Sequence, residues 1–440
     1  MKEKVSISVI GLGKLGLCAA VCFAYKGFKV IGVDINIERI NMINKGLSPI
    51  EETGLPELLK KTKTMTATHD YKEAILNSDV TFIIVATPSL ADGTFSNEYL
   101  EKACLRIGEA LKKKKDYHLI VVTSTVMPQT TGNVVKSLLE EASGKKCGTD
   151  FGVAYNPEFI ALGSVIRDFL NPDFILIGEL SKKDGDLLER IYGQICDNKP
   201  RFARMSTLNA EITKLSLNCY ITTKITFANS LSAICDRVKG ADADVITAAI
   251  GLDARVGSRY IKPGLGYGGP CFPRDNIAFS AFARGLEVKA KLAQTVDEVN
   301  RDQIIRVVER IKGILADMKK AKSNCRIGIL GLSYKPNTPI IDDSQALNIT
   351  QFLVNEGFKV AVYDPLAKEN ARGVLGDQVR YAKDKEDCLI DADIAVIAVP
   401  WQEFKEIDFR AINKKMVVLD CWKMVSDKPD LVIHHLGIGR

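Results

Sequence analysis

Histidine, tryptophan and long apolar runs are what this chain of 440 residues has least of. It holds four histidines, His69, His118, His434 and His435, and two tryptophans. None of the histidines lies in a glycine-rich or polar signature, so a dehydrogenase mechanism built on histidine has little to stand on. No run of about 18 apolar residues occurs, which excludes a transmembrane helix and a membrane partner. The opening Met1-Lys2-Glu3-Lys4 passes straight into a strand-like segment, a pattern unlike a signal peptide. The 11 cysteines are scattered without a CxxC pair, the usage of reduced thiols in a cytoplasm. The nearest pair, Cys18 and Cys22, sits in an apolar helical stretch without a histidine, so no metal is expected. Net charge is +6, small for this length. The densest basic run, Lys112 to Lys115, has no interleaved aromatics and reads as a solvated helix end, which argues against nucleic acid. The mild positive balance suits a phosphorylated small molecule.

What is present is length and a repeating α/β pattern. A chain this long exceeds one hydrophobic core and implies two or three domains. Val5 to Ile10 reads as a strand, followed by a glycine turn, a helix to about Lys26, and a strand from Lys29 to Asp34. Further strands are expected at Val80 to Val85, His118 to Val122, Gly152 to Tyr155 and Phe174 to Ile177, separated by helices. This alternation predicts a parallel, doubly wound sheet. Strand signals vanish from Ser206 to about Ala321, where apolar spacing predicts a long helix over Thr207 to Val238. The α/β pattern restarts at Arg326 to Gly331, Phe358 to Asp364, Ile394 to Val399 and Val417 to Asp420. The predicted architecture is therefore α/β, with two Rossmann-like doubly wound parallel sheets joined by a long central helix and a helical middle domain. Its parts are a cofactor domain at 1–205, a helical domain at 206–320 and a C-terminal Rossmann-like domain at 321–440. An uncovered side of the long helix would carry a homodimer interface.

Gly11-x-Gly13-x-x-Gly16 follows a strand and opens a helix, the context that gives this pattern meaning. The first glycine makes the turn, the second admits a pyrophosphate, and the third lets helix pack on strand, with the phosphates facing the helix N-terminus. Asp34 ends the second strand 23 residues after Gly11, where a carboxylate binds ribose hydroxyls. It would repel a 2′-phosphate, and no arginine follows directly, so NAD is expected rather than NADP.

A denser stretch runs from Lys262 to Asp275, with glycines at 264, 266, 268 and 269. Such glycines are expected to expose backbone amides to a phosphate or sugar. Cys271 lies two residues before Pro273, so it should stand at a helix N-terminus, where the dipole favours a thiolate. Asp275 follows one turn later. The remaining cysteines lie mostly in apolar periodic segments and read as core thiols. On the long helix, Lys214 and Asn218 are four residues apart and share a face.

These motifs resemble the UDP-glucose/GDP-mannose dehydrogenases along nearly the whole chain. The family's GGxCFxxD-like segment matches Cys271 and Asp275, and its E-[LI]-x-K-x-x-x-N helix matches Lys214 and Asn218. Its S-T-V segment matches Ser124-Thr125-Val126, and its N-P-E-F segment matches Asn156-Pro157-Glu158-Phe159. The resemblance implies NAD, a nucleotide-sugar substrate and a four-electron oxidation of an alcohol to an acid. It implies catalytic roles for Cys271, Lys214, Asn218, Asp275, Glu158 and Thr125. Gly11, Gly13, Lys14, Leu15, Gly16, Asp34, Thr87 and Thr125 would meet the cofactor. Glu158, Phe159, Lys214, Asn218, Arg255, Tyr260, Gly268 and Lys335 would meet the substrate, with Arg255 reaching the neighbouring subunit's site and Lys335 lying near the phosphates.

Three positions depart from the family pattern. Leu162 stands where many members have a second glutamate, Asp342-Asp343-Ser344 replaces Arg-Glu-Ser, and Asp420-Cys421-Trp422-Lys423 replaces a D-G-R segment. The last leaves a substrate-facing arginine absent or replaced by Lys423. Gly-Gly-x-Cys-Phe-Pro resembles the UDP-glucose branch more than the branch with histidine before the cysteine, which handles N-acetylated sugars. UDP-glucose is the first expectation; GDP-mannose and a UDP-N-acetylhexosamine stay open. A β-hydroxyacid dehydrogenase would lack the Cys271 segment, and a silent nucleotide-sugar-binding protein would have lost the nucleophile.

Overall fold

The computed structural model describes residues 5–426 and 428–439; Met1-Lys2-Glu3-Lys4 lies outside the described residues. The chain forms two compact units, Met1–Ser216 and Leu217–Arg440, and the division falls inside the long helix Thr207–Cys235.

The first unit is built on an eight-stranded sheet: β1 (Ser6–Ile10), β2 (Lys29–Val33), β3 (Met65–Thr68), β4 (Val80–Ile83), β5 (His118–Val122), β6 (Phe151–Tyr155), β7 (Phe174–Glu179) and β8 (Arg201–Ser206). Their order is β3-β2-β1-β4-β5-β6-β7-β8. Chain direction of travel across the sheet reverses between β1 and β4, which opens a crevice at the carboxyl ends of those strands. β4, β5 and β6 are buried at every position, as strands covered by helices on both faces must be. Two strands escape the sequence reading. β3 is a four-residue edge strand, and β8 carries two arginines on a half-exposed edge, so neither shows a clean apolar run.

The expected all-parallel sheet needs a correction. β7 runs antiparallel to β6, pairing Ala154 with Glu179 and Tyr155 with Gly178. The helix between them, Val165–Leu170, rises only about 9 Å and is too short to carry the chain back beside a strand. A second correction concerns Lys114, which is buried rather than solvated. Its ammonium donates to the carbonyls of Ile75, Leu76 and Ser78, closing the end of the helix Tyr71–Leu76. Beside it, burial pushes the His118 imidazole down to about 3. That neutral ring bridges Thr81 and Ser78.

The second unit holds a six-stranded, wholly parallel sheet: β9 (Arg326–Leu330), β10 (Lys359–Tyr363), β11 (Arg380–Tyr381), β12 (Ile394–Ile397), β13 (Val417–Asp420) and β14 (Val432–His435). Its order, β11-β10-β9-β12-β13-β14, repeats that of the first six strands. The helix Lys291–Asp317 buries Val307, Val308, Ile311 and Ile314 in the same core as Ile327 and Ile329 of β9. From Leu217 onward the helical stretch and this sheet thus form one compact body. Among the described residues no helix is long and apolar enough to cross a membrane.

Lys423 fastens that body. Its ammonium lies 2.5 Å from Asp242 Oδ1 and 2.8 Å from Asp244 Oδ2, at the start of the helix Ala243–Gly251, and its side chain is 17% exposed. The carboxyl of Asp242 is held below its usual range by Lys423 against the cost of desolvation. Replacing Lys423 by Met is expected to lower unfolding free energy by about 1–2 kcal/mol, between the surface and buried limits for ion pairs. Urea denaturation measures this, and an unchanged midpoint would contradict it.

Candidate active site

The glycine turn after β1 explains its own composition. Gly11 adopts φ +94°, and a Cβ there would collide with the carbonyl oxygen of Ile84. A Cβ on Gly16 would collide with the Gly11 carbonyl, so helix Lys14–Tyr25 could not close on the strand. Gly13 differs: its Cβ would meet nothing within 4 Å. The bare face of Gly13 is open space at a helix N-terminus, which fits a pyrophosphate. Lys14 is exposed beside it, while Leu15 packs partly into the core.

Asp34 is buried, and its carboxylate accepts from Leu12 N at 2.8 Å and Asn36 N at 2.9 Å. Arg39 Nη1 also reaches it at 3.0 Å. The arginine missed by the sequence reading therefore exists five residues on, but it neutralises Asp34. Thr87 donates to the Thr125 carbonyl at 2.7 Å, and Ser124 Oγ donates to the Val85 carbonyl. These bonds stitch the loops after β4 and β5 together at the mouth of the crevice.

In the same unit, Lys214 is buried and donates to the Glu158 backbone carbonyl at 2.8 Å. Its ammonium lies 4.5 Å from the Phe159 ring centre, and that ring stacks on Phe174. An ammonium so placed is a fixed positive charge. The Glu158 carboxyl is pushed up to about 7 by burial, opposed by hydrogen bonding from the Tyr192 hydroxyl and by the charge of Lys214. Leu162 packs on the core and offers no carboxylate.

The second unit holds the other group. Cys271 is exposed and occupies the N-cap of the helix Phe272–Gly285, with Pro273 in the first turn, as its spacing predicted. Asp275 is buried in that first turn, and Asn218 Nδ2 donates to its Oδ2 at 2.5 Å. Asn218 and Lys214 stand one turn apart on the long helix. The glycines before Cys271 also have a packing role that their spacing did not show. The space a Cβ would need is filled by Trp422 at Gly264, Asn300 at Gly266, the Asp343 carbonyl at Gly268 and the Tyr334 ring at Gly269. The amides are bonded inward: Gly264 N to Asn229, Tyr267 N to Asn300 and Gly269 N to the Asp342 carbonyl. The segment is packed closely before Cys271, and Gly268 lets the Asp343 carbonyl approach. Lys423 is engaged by Asp242 and Asp244. Arg255 is held by Asp253 with its side chain 88% exposed. Tyr260 is half-exposed at φ +63°, and Lys335 lies near the Tyr334 ring.

Glu211 opens the helix motif that carries Lys214 and Asn218. Its fully buried carboxylate accepts from Gln129 N and Thr131 N, both at 2.7 Å, fixing the segment that follows Thr125. A carboxylate at a buried helical position was the available signal. Among the described residues no group of three or more His, Cys, Asp or Glu could hold a metal ion.

The contrast among the glycines is testable. Gly16→Ala should destabilise the first unit by several kcal/mol, whereas Gly13→Ala should leave the melting temperature nearly unchanged and weaken NADH binding at least tenfold. Thermal melts with NADH fluorescence titration distinguish them; equal melting losses would refute the packing assignment. Glu211→Ala takes the acceptor from the buried Thr131 amide and from that of Gln129, an expected loss of about 1–3 kcal/mol, read by urea denaturation.

Three family models cover most of the chain, all of the UDP-glucose/GDP-mannose dehydrogenase family. The NAD binding domain matches residues 5–196, the central domain 208–302 and the UDP binding domain 328–427. The chain is 37% identical over 420 residues to UDP-glucose 6-dehydrogenase AglM of Haloferax volcanii, covering 94% of this chain and 96% of that one. It is also 37% identical over 363 residues to GDP-mannose 6-dehydrogenase of Pseudomonas aeruginosa, covering 81% and 80%. The solved UDP-glucose dehydrogenase of Pyrobaculum islandicum superposes with a TM-score of 0.89 at 33% identity, covering 99% and 98%. With its glycine turn, Asp34 and both sheets in place, the chain belongs to the UDP-glucose/GDP-mannose dehydrogenase family, the NAD-dependent nucleotide-sugar 6-dehydrogenases.

Proposed function

We propose that this chain oxidises the C6 primary alcohol of UDP-glucose to the carboxylate of UDP-glucuronate, with Cys271 as covalent nucleophile. The observation that carries the mechanism is the exposed Cys271 thiol at a helix N-terminus, one turn from a buried Asp275 held by Asn218. NAD, when bound, accepts one hydride in each of the two oxidations. In the first, the hydroxyl proton passes towards Asp275, while the charge of Lys214 and an amide proton of Asn218 stabilise the developing oxyanion. The Cys271 thiolate then adds to the aldehyde carbon, giving a thiohemiacetal that cannot diffuse away. Loss of the second hydride leaves a thioester. Water, activated by Glu158, attacks the thioester carbon and displaces the Cys271 thiolate, releasing the acid. Thr125 positions the reacting groups from the loop after β5.

The substrate choice rests on the Gly268-Gly269-Pro270-Cys271-Phe272-Pro273 branch pattern. GDP-mannose is the second reading, favoured by an equal identity to a GDP-mannose 6-dehydrogenase. Incubation with UDP-glucose, GDP-mannose, UDP-N-acetylglucosamine and UDP-N-acetylmannosamine, read at 340 nm, separates them. The expected result is fastest turnover of UDP-glucose with two NADH per sugar. Cys271→Ser is expected to abolish acid formation, and undiminished turnover would refute the covalent step. Because Glu158 must be deprotonated to activate water, the hydrolytic step should fall as pH drops below about 7. Glu158→Gln should remove that pH limb together with most activity.

We further propose a homodimer through the long helix. Tyr220, Phe227 and Ile234 recur every seventh residue and are 60%, 54% and 60% exposed. A dimer across this stripe would carry the exposed Arg255 towards the partner's substrate. Phe227→Glu is expected to yield monomers by light scattering, with raised KM for the sugar; an unaltered dimer would exclude this face.

A further inference from the structure

Beneath the Glu158 loop lies a buried hydrogen-bond chain that the mechanism above does not use. Tyr192, on the helix Lys182–Ile195, is 1% exposed. Its hydroxyl lies 2.5 Å from Asn156 Oδ1 and 3.0 Å from Glu158 Oε1. Asn156 is itself buried, and its Nδ2 donates to the Leu176 carbonyl of β7 at 2.8 Å. That bond turns the Asn156 carbonyl oxygen towards Tyr192.

We propose that Tyr192, oriented by Asn156, is a positioning residue that holds the Glu158 carboxyl in its protonated form between turnovers. This rests on the reading of Glu158 as the base of thioester hydrolysis.

The reasoning is one of donors and acceptors. An amide oxygen can only accept, and a phenol has one proton to give. At the shorter of its two contacts Tyr192 must donate, so its proton goes to Asn156. What Tyr192 then presents to Glu158 is an oxygen lone pair. A carboxylate there would bring two electron-rich oxygens together in a buried place, whereas a carboxylic acid completes the chain by donating to Tyr192. The other groups facing the carboxyl are Lys214 from the long helix, Cys22 from the helix Lys14–Tyr25, and Cys196. Both thiols are pushed up to about 12, chiefly by burial, and stay neutral. Lys214 alone among these favours the carboxylate, and its ammonium is bonded to the Glu158 backbone carbonyl. Burial also favours the acid; a Tyr192 proton given to Glu158 would act the other way, and the shorter contact to Asn156 takes that proton. The acid must shed its proton before it can activate water, so Tyr192 sets the pH at which hydrolysis begins.

The test titrates the full chain without substrate, carrying glutamate labelled with carbon-13 at the side-chain carboxyl, followed by NMR. Glu158→Gln assigns the resonance. The wild type should show this carboxyl titrating near neutrality, and Tyr192→Phe should move the midpoint down by about one pH unit or more, a tenfold change in proton affinity. An upward shift would mean that Tyr192 donates to a carboxylate, and no shift would mean that it does not act on Glu158; either overturns the proposal. Should Tyr192→Phe fail to melt cooperatively, Asn156→Ala serves instead. It returns the tyrosine proton to Glu158 and must also lower the midpoint; an unmoved midpoint overturns the proposal. The acid limb of acid formation from UDP-glucose should shift with the titration. A shifted titration beside an unmoved limb would support the positioning role and overturn the base role of Glu158.

Discussion

A carboxylate at the end of the second strand organises the turn after the first strand in both sheets. In the first sheet Asp34 accepts from Leu12 N, and in the second Asp364 accepts from Leu332 N and Ser333 N. Each bond folds the glycine turn back over the crevice and fixes where the following chain goes. Gly11 and Gly331 begin those turns with φ +94° and +99°, and each amide bonds to the last residue of the neighbouring strand. The two sites then diverge in what remains of the carboxylate. Asp364 also accepts from Ser333 Oγ, Leu366 N, Ala367 N and Trp401 Nε1. A carboxylate offers about four lone-pair directions, so Asp364 is saturated and has become a structural pin. Asp34 has three donors, one of them the displaceable Arg39 side chain. The same topology thus yields one acid with accepting capacity to spare and one buried rivet.

That divergence shows how far the chain could be read in advance. The strands at the centres of both sheets were visible because burial on two faces forces continuous apolar runs. The edge strands β3, β8, β11 and β14 were invisible because a half-exposed edge tolerates Arg, Thr and His. The reversal of β7 was hidden too, since strand direction depends on the length of an intervening helix rather than on the strand itself.

At the candidate site, local chemistry was legible and tertiary packing was not. Cys271 could be placed at a helix N-cap because Pro273 fixes where that helix starts. The role of its glycines could not, because spacing says nothing about what fills the missing Cβ volume. Trp422, Asn300, Asp343 and Tyr334 come from segments 31 or more residues away. Glu211 and Tyr192 were overlooked for the same reason: each acts on loops far along the chain. Lys114 was misjudged as to surroundings, since a lysine's stem can bury while its head finds carbonyls.

Burial of the thiols has one more consequence. Nine of the eleven cysteines have their thiols pushed up with burial as the leading cause. Such sulfurs stay protonated and slow to react with electrophiles or peroxides. Cys271 stands apart, exposed at its helix cap. Oxidative chemistry arriving from solvent therefore meets Cys271 before any buried thiol. Under the proposed mechanism, damage of that kind silences the enzyme while the fold survives, and a thiol reductant restores a first-stage lesion without refolding the chain.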